Sequence, residues 1–192
     1  KNNDLLLNIM PASIAERLKS GENNIADRFE DVSVLFADIS GFTKYSSNIS
    51  PKIIVKELNN IFSVFDDLVD KYNVEKIKTI GDNYMIASGI PYQNRMHAET
   101  IIDIAIEMNK VLPKINNSLS IKIGISSGEV VAGVIGKRKF IYDLWGDTVN
   151  VASRMEKYGK DNKIHVSSIT YNLIKDKYKF SGKNTLEIKG KG

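Results

Sequence analysis

"VEKIKTIGDNYMIASG" spans residues 74–89. Two runs of strand-forming residues flank Gly81-Asp82, and a Gly-Asp pair between such runs is a turn signal, so the stretch reads as a β-hairpin. Turn chemistry does not account for Lys78, a cation inside what reads as a mostly buried strand, four residues before Asp82.

Outward from the hairpin the pattern alternates between helix and strand. "SPKIIVKELNNIFSVFDDLVDKY" (50–72) predicts a helix, with Ser50 as N-cap, Pro51 at the first helical position, and Ile54, Leu58, Ile61, Phe65 and Leu68 on one apolar face. Before it, "VSVLFADIS" (32–40) is a run of β-formers that turns polar at its end. After the hairpin, "AETIIDIAIEMNKVL" (98–112) predicts a second helix stopped by Pro113. "LSIKIGISSG" (119–128) alternates Ile121, Ile123 and Ile125, and "EVVAGVIG" (129–136) reads as its hairpin partner. The order β-α-β-β-α-β is the split βαβ arrangement: an α+β, ferredoxin-like (βαββαβ) palm core whose helices pack on one face of an antiparallel sheet. A further helix is expected at 147–159, and "KIHVSS", "ITYNLIKDKY" and "TLEIKGKG" form a smaller C-terminal α/β subdomain. Residues 1–31 read as a connecting helix interrupted at Pro11, ended by Gly21 and followed by the polar linker "ENNIADRFED"; the main domain is expected over 32–192.

Composition narrows the chemistry. The chain has 192 residues, about one domain's length. It has no cysteine, which excludes disulfides, thiolate metal sites and thiol nucleophiles, and fits a reducing compartment. His97 and His165 lie far apart and show no metal-ligand spacing, so each reads as a surface or rim residue. The net charge of +4 comes from dispersed lysines. No basic and aromatic interleaving points to nucleic acid, and no apolar run approaches the ~20 residues of a membrane span.

Asp38 sits at the carboxyl end of the first strand and Asp82 in the hairpin turn. If the first strand is central and pairs with the first hairpin strand, these carboxylates are neighbours. Like charges that close repel unless a cation sits between them, and hard oxygen ligands suit Mg²⁺ or Mn²⁺ held together with a phosphate. "ISGFT" follows Asp38, and the backbone around Gly41, Phe42 and Thr43 can turn N–H groups toward a triphosphate before a helix begins. Spacing alone leaves the plainer reading open, in which Asp38 caps one turn and Asp82 makes another. A Walker P-loop is excluded: beside Gly136-Lys137, Val131 stands where the first glycine is needed and Arg138 where Ser or Thr is needed.

Four stretches in register, "VSVLFADISGFT", "VEKIKTIGDNYMIASG", "GISSGEVVAGVIG" and "YDLWGDTVNVASRM", resemble the catalytic domain of the class III nucleotidyl cyclases, the adenylyl and guanylyl cyclases, from about Val32 to Gly192. The leading "LLLNIMPASIAERLK" resembles the helix that joins upstream sensor or membrane regions to such domains. This implies a cytoplasmic catalytic domain in a protein that carries such a region or a membrane anchor elsewhere. By the same resemblance, the chain is expected to end before the family's last strands. The resemblance implies cyclisation of ATP or GTP to a 3′,5′-cyclic monophosphate with release of pyrophosphate, in signal transduction. By resemblance, Asp38 and Asp82 carry two Mg²⁺ or Mn²⁺ ions per active site, with the Ile39 carbonyl as a further ligand.

By the same resemblance, Lys78 and Asp143 face the purine, where guanylyl cyclases characteristically carry glutamate and cysteine. Lysine can donate to adenine N1 and aspartate can accept from N6, whereas guanine reverses both partners. ATP is therefore the expected substrate. Asn150 and Arg154, four apart on one helical face, are implied to orient the ribose and to stabilise the phosphates in the transition state. Lys189 is implied as a triphosphate contact, with Lys191 a weaker candidate. In this family the metal aspartates come from one domain and the purine, ribose and transition-state groups from another, so a chain carrying both sets is expected to form a homodimer with two equivalent sites. "GKRKFIYDLWGD" lies where the family has its dimer-forming arm, and Trp145 reads as interface or core packing. The rivals are a guanylyl cyclase, an inactive nucleotide-binding dimerisation module and a diguanylate cyclase; Lys78 and Asp143, the full residue set, and the lack of a GGDEF-like hairpin argue against them in turn.

Overall fold

The run "VSVLFA" is buried at every residue from Val32 to Ala37, without the in-out alternation of a strand that faces water on one side. Such a strand needs cover on both faces. A computed structural model, which describes residues 2–182, supplies it. The strand, β1 (Ala26–Ser40), lies in the middle of a six-stranded sheet with β2 (Glu75–Ile80), β3 (Asn83–Ser88), β4 (Ser120–Ile135), β5 (Ile141–Trp145) and β6 (Lys163–Val166). The order is β2-β3-β1-β4-β5, and β6 pairs in parallel with the first half of β4.

On one face lie α4 (Pro51–Tyr72) and α5 (His97–Ile115). Phe65 and Ile61 of α4, and Ile101, Ile104 and Met108 of α5, pack there against Leu35, Ala37, Ile39, Ile121 and Ile123. The other face is covered by α2 (Ala12–Lys19) and α6 (Asp147–Lys157), with Ile14, Ala15 and Ala152 against Val34, Phe36, Met85, Val130 and Leu144. The palm core and its α+β class are as expected, but helices cover both faces of the sheet rather than one. Two short helices, α1 (Asn2–Leu7) and α3 (Phe42–Ser46), and the terminal α7 (Ser168–Ile174) complete the described elements.

Several local readings change. Residues 26–31 are not linker: they begin β1 and pair with the second half of β4, Ala26 opposite Gly133 and Phe29 opposite Val130. Residues 120–135 form one continuous strand rather than a hairpin, and β5 is its true antiparallel partner. Gly128 reads as a turn residue in the sequence because glycine is the usual way to turn a chain. Within the continuous strand it is constrained by a φ of +148° and by close approach, since a Cβ there would lie 2.7 Å from Thr148 Oγ1 of α6. Pro113 does not stop α5, which carries it in its last turn and continues to Ile115. Ser50 and Pro51 open α4 as expected, although the Ser50 side chain makes no capping bond. The expected C-terminal subdomain is joined to the main sheet through β6.

Candidate active site

The candidate cation half, the Asp38–Asp82 carboxylate pair, is built at one end of the sheet. β1 pairs with β3, the second hairpin strand, and not with the first as expected. The juxtaposition survives the change. Asp38 is opposite Asn83, and the Ile39 N–H donates to the Asp82 carbonyl at 3.2 Å, which draws the hairpin turn against the end of β1. Burial pushes the Asp38 carboxyl up to about 6, and the charge of Asp82 and a hydrogen bond with it push the same way. Lys122, opposite Asp38 on β4, opposes them.

Two buried oxygens beside these carboxylates have no hydrogen-bond partner: Asn83 Oδ1, next to Asp82, and Ser40 Oγ, two residues beyond Asp38. Buried polar oxygens are normally satisfied. Two mutually repelling carboxylates with orphaned oxygens around them are the donor set a hard divalent cation prefers. Among the described residues no three acidic or histidine side chains gather, so any cation here leans on this pair, on backbone oxygen and on its ligand. The Ile39 side chain is buried in the core, so only its carbonyl is available. Gly41, in the left-handed conformation at φ +79°, turns the chain from β1 into α3. Phe42 is 7 % exposed and packs in the core, so it can meet a ligand only through its backbone, and Thr43 comes after it in α3.

The second half is already paired. Lys78 Nζ donates to Asp143 Oδ2 at 2.7 Å, and Asp143 Oδ1 accepts from the Leu144 N–H at 2.7 Å. The lysine and aspartate side chains are 34 % and 16 % exposed. β2 and β5 stand at opposite ends of the strand order, yet the sheet curls enough to bring them into contact. A bulge in β2 between Lys76 and Lys78 aims the side chains. Residues two apart on a regular strand share a face. Here Lys76 instead bonds Asp66 of α4 at 2.8 Å while Lys78 reaches β5. The extra residue of a bulge turns the next side chain to a new direction.

Asn150 and Arg154 occupy α6 as expected. The residues of this helix buried against the protein are Thr148, Ala152 and Glu156. Two positions along a helix is a rotation of about 200°, so Asn150 and Arg154 lie on the opposite side, Asn150 exposed and Arg154 partly so. They face away from the surface that carries Asp38. Lys189 and Lys191 lie outside the described residues.

Sequence reasoning missed Lys122. Its signal was present: it falls between Ile121 and Ile123 and so points to the other face of β4, the face of Asp38. It also placed His97 at the surface. His97 is 7 % exposed, and its Nδ1 lies 2.7 Å from Ser33 Oγ at the start of a buried hydroxyl chain through Ser127 and Thr170. Burial lowers its pKa.

This fold, with a carboxylate pair at the end of the central strand and a lysine–aspartate pair across its curled edges, is that of a nucleotidyl cyclase catalytic domain. The chain belongs to the adenylate and guanylate cyclase catalytic domain family, which residues 25–192 match. It is similar to an adenylate cyclase of Mycobacterium tuberculosis, 45% identical over 193 residues, covering 98% of this chain and 44% of the relative. It is also similar to a membrane guanylyl cyclase of Dictyostelium discoideum, 39% identical over 181 residues, covering 92% of this chain and 12% of the relative. Among solved structures, the catalytic core of a rhodopsin-guanylyl cyclase with converted specificity, in complex with ATPαS, superposes with a TM-score of 0.83 at 38% identity, covering 87% of this chain and 93% of that one. The chain spans less than half the length of these curated relatives. No helix among the described residues is long and apolar enough to cross a membrane.

Proposed function

We propose that the domain is an adenylate cyclase, converting ATP to 3′,5′-cyclic AMP and pyrophosphate at two equivalent sites shared between two copies of the chain. Relatives of both specificities are similar to it, so the reading rests on its own residues. Lys78, held by Asp143, presents an ammonium donor where adenine offers N1, and Asp143 presents acceptor oxygens where adenine offers its N6 amino group. Guanine would set a donor against the lysine and an acceptor against the carboxylate, an expensive arrangement in a half-buried site.

The reaction joins the ribose 3′-oxygen to the α-phosphorus while the bond to the β-phosphate oxygen breaks and the hydroxyl proton is lost. It needs positioning and charge stabilisation more than covalent help. Two Mg²⁺ or Mn²⁺ ions, when bound, supply charge at the attacking oxygen and the phosphates. Asp38, Asp82 and the Ile39 carbonyl would hold them. The backbone at Gly41, Phe42 and Thr43 would meet the triphosphate, with Lys122 beside it and Lys189 as a further contact. Asn150 would orient the ribose, and Arg154 would stabilise the charged transition state.

The division of α6 supports the shared site. Asn150 and Arg154 point away from their own chain's carboxylate pair, so a second copy is the natural source of the cation half they serve. Resemblance of the opening helices to a connecting segment supports an upstream sensor or membrane region, with this domain in the cytoplasm.

Two measurements test the proposal. Product analysis after incubation with ATP or GTP and Mn²⁺ should give cyclic AMP in excess; cyclic GMP in excess would reverse the substrate. Mixing Asp82→Ala with Arg154→Ala, each nearly inactive alone, should restore activity. Random two-fold pairing makes about half the dimers mixed, each with one whole site, so recovery should reach about a quarter of the unmodified level. No recovery with subunit exchange demonstrated would mean that each site is built within one chain.

A further inference from the structure

Glu156 is a buried carboxyl that none of the roles above uses. It is 7 % exposed, near the end of α6, on the side that faces the sheet. The helix touches β4 here more closely than any side chain would allow, since a Cβ on Gly124 would lie 2.0 Å from the Glu156 nitrogen. Gly124 is opposite Phe36, and Lys122 is opposite Asp38, so all four share one face of the sheet. Glu156 therefore sits one step along that face from Lys122. The charges acting on it are those of Asp38, Lys122 and Asp82. No ion pair within 4 Å joins Glu156 or Lys122 to any other described residue.

Lys122 is within electrostatic reach of two acidic groups. One is the Asp38–Asp82 pair, where an ammonium would take the place of a divalent cation. The other is Glu156. Lys163, its neighbour in the parallel ladder with β6, adds a like charge and no further attractor.

We propose that Glu156 is a positioning residue for the cation site: it draws the Lys122 ammonium away from the Asp38–Asp82 pair and so leaves that pair free for a divalent cation. The inference rests on the reading of Asp38 and Asp82 as cation ligands. It also gives α6 two tasks. One side of the helix carries Asn150 and Arg154 outward, and the other governs the cation half of its own chain.

The test is Mn²⁺ binding to the 192-residue chain without nucleotide, read by electron paramagnetic resonance of free Mn²⁺ at pH 8. Glu156→Gln should weaken binding about fivefold to tenfold, the scale of a charge–charge attraction acting across more than 4 Å between partly buried groups. Lys122→Gln should bind at least as tightly as the unmodified chain, because the competing ammonium is gone. The double variant should match Lys122→Gln, since Glu156 has nothing left to hold. Glu156→Asp should recover part of the loss, which a packing role would not require. Unchanged affinity in Glu156→Gln overturns the proposal. So does an equal loss in the Lys122→Gln background, which would mean that Glu156 acts on the cation directly. Asp38→Ala separates the two levels: if it abolishes binding while Glu156→Gln has no effect, the cation site stands and only the role of Glu156 falls.

Discussion

The two halves of the site meet the ligand-free state in opposite ways. At the end of β1, two carboxylates lie against each other, and burial together with the charge of Asp82 raises Asp38 to about 6. At the curled edge, Lys78 and Asp143 neutralise each other at 2.7 Å. On the proposed reading the first half is unsatisfied and would gain from a cation, because binding would remove a repulsion already present. The second is satisfied, and on the proposed reading a base would have to offer at least as much as the ion pair does. The carboxylate half is therefore expected to supply affinity and charge, and the lysine–aspartate half discrimination.

The largest way to break this contrast is to remove the unsatisfied half. Asp38→Ala and Asp82→Ala should each reduce product formation by at least about a hundredfold, since metal stabilisation of transferring phosphates is worth several kcal/mol. The fold should survive, because neither carboxylate holds the core together; circular dichroism and turnover on the same sample check both. Retained turnover in either variant would remove the cation reading.

The discriminating half should respond in ratio rather than in total. Lys78→Glu combined with Asp143→Cys should lower kcat/KM for ATP relative to GTP. Each charged hydrogen bond is worth ~1.5–3 kcal/mol, which is about tenfold to a hundredfold in selectivity. An unchanged ratio would place base recognition elsewhere.

The smallest effect concerns stability without cation. A carboxyl whose folded pKa lies above its unfolded value holds its proton better when folded, so folding loses stability as pH rises from the unfolded pKa to the folded one. For Asp38 that window runs from about 4 to about 6. Asp38→Asn should thus raise Tm by about 2–4 °C in chelator at pH 8, where the repulsion is fully present. It should leave Tm unchanged near pH 4, and Mn²⁺ should erase the difference at pH 8 by binding only the unmodified chain. Glu156, pushed up to about 7 chiefly by burial, has the same sign. Scanning calorimetry at the two pH values decides it; an equal gain at both would mean that Asn improves packing rather than relieving charge.

What the sequence determined by itself is local. The Gly81-Asp82 turn, the apolar faces of α4 and α5, the polar end of β1 at Asp38 and the four-residue spacing of Asn150 and Arg154 come from turn chemistry and periodicity, which act over a few residues. Those signals placed nearly every candidate residue on the right element. Tertiary structure decided the rest. Which hairpin strand joins β1, whether Gly128 turns the chain or admits α6, and whether "ADRFED" is linker or strand depend on hydrogen bonds and contacts between residues far apart in sequence. The bulge that sends Lys78 to Asp143 leaves no mark on alternation, because it is one unpaired residue between two paired ones. Lys122 and Glu156 show the same limit: alternation gives the face of Lys122, but only the pairing of β1 with β4 sets it opposite Asp38, and only the close seating of α6 on Gly124 brings Glu156 to that face.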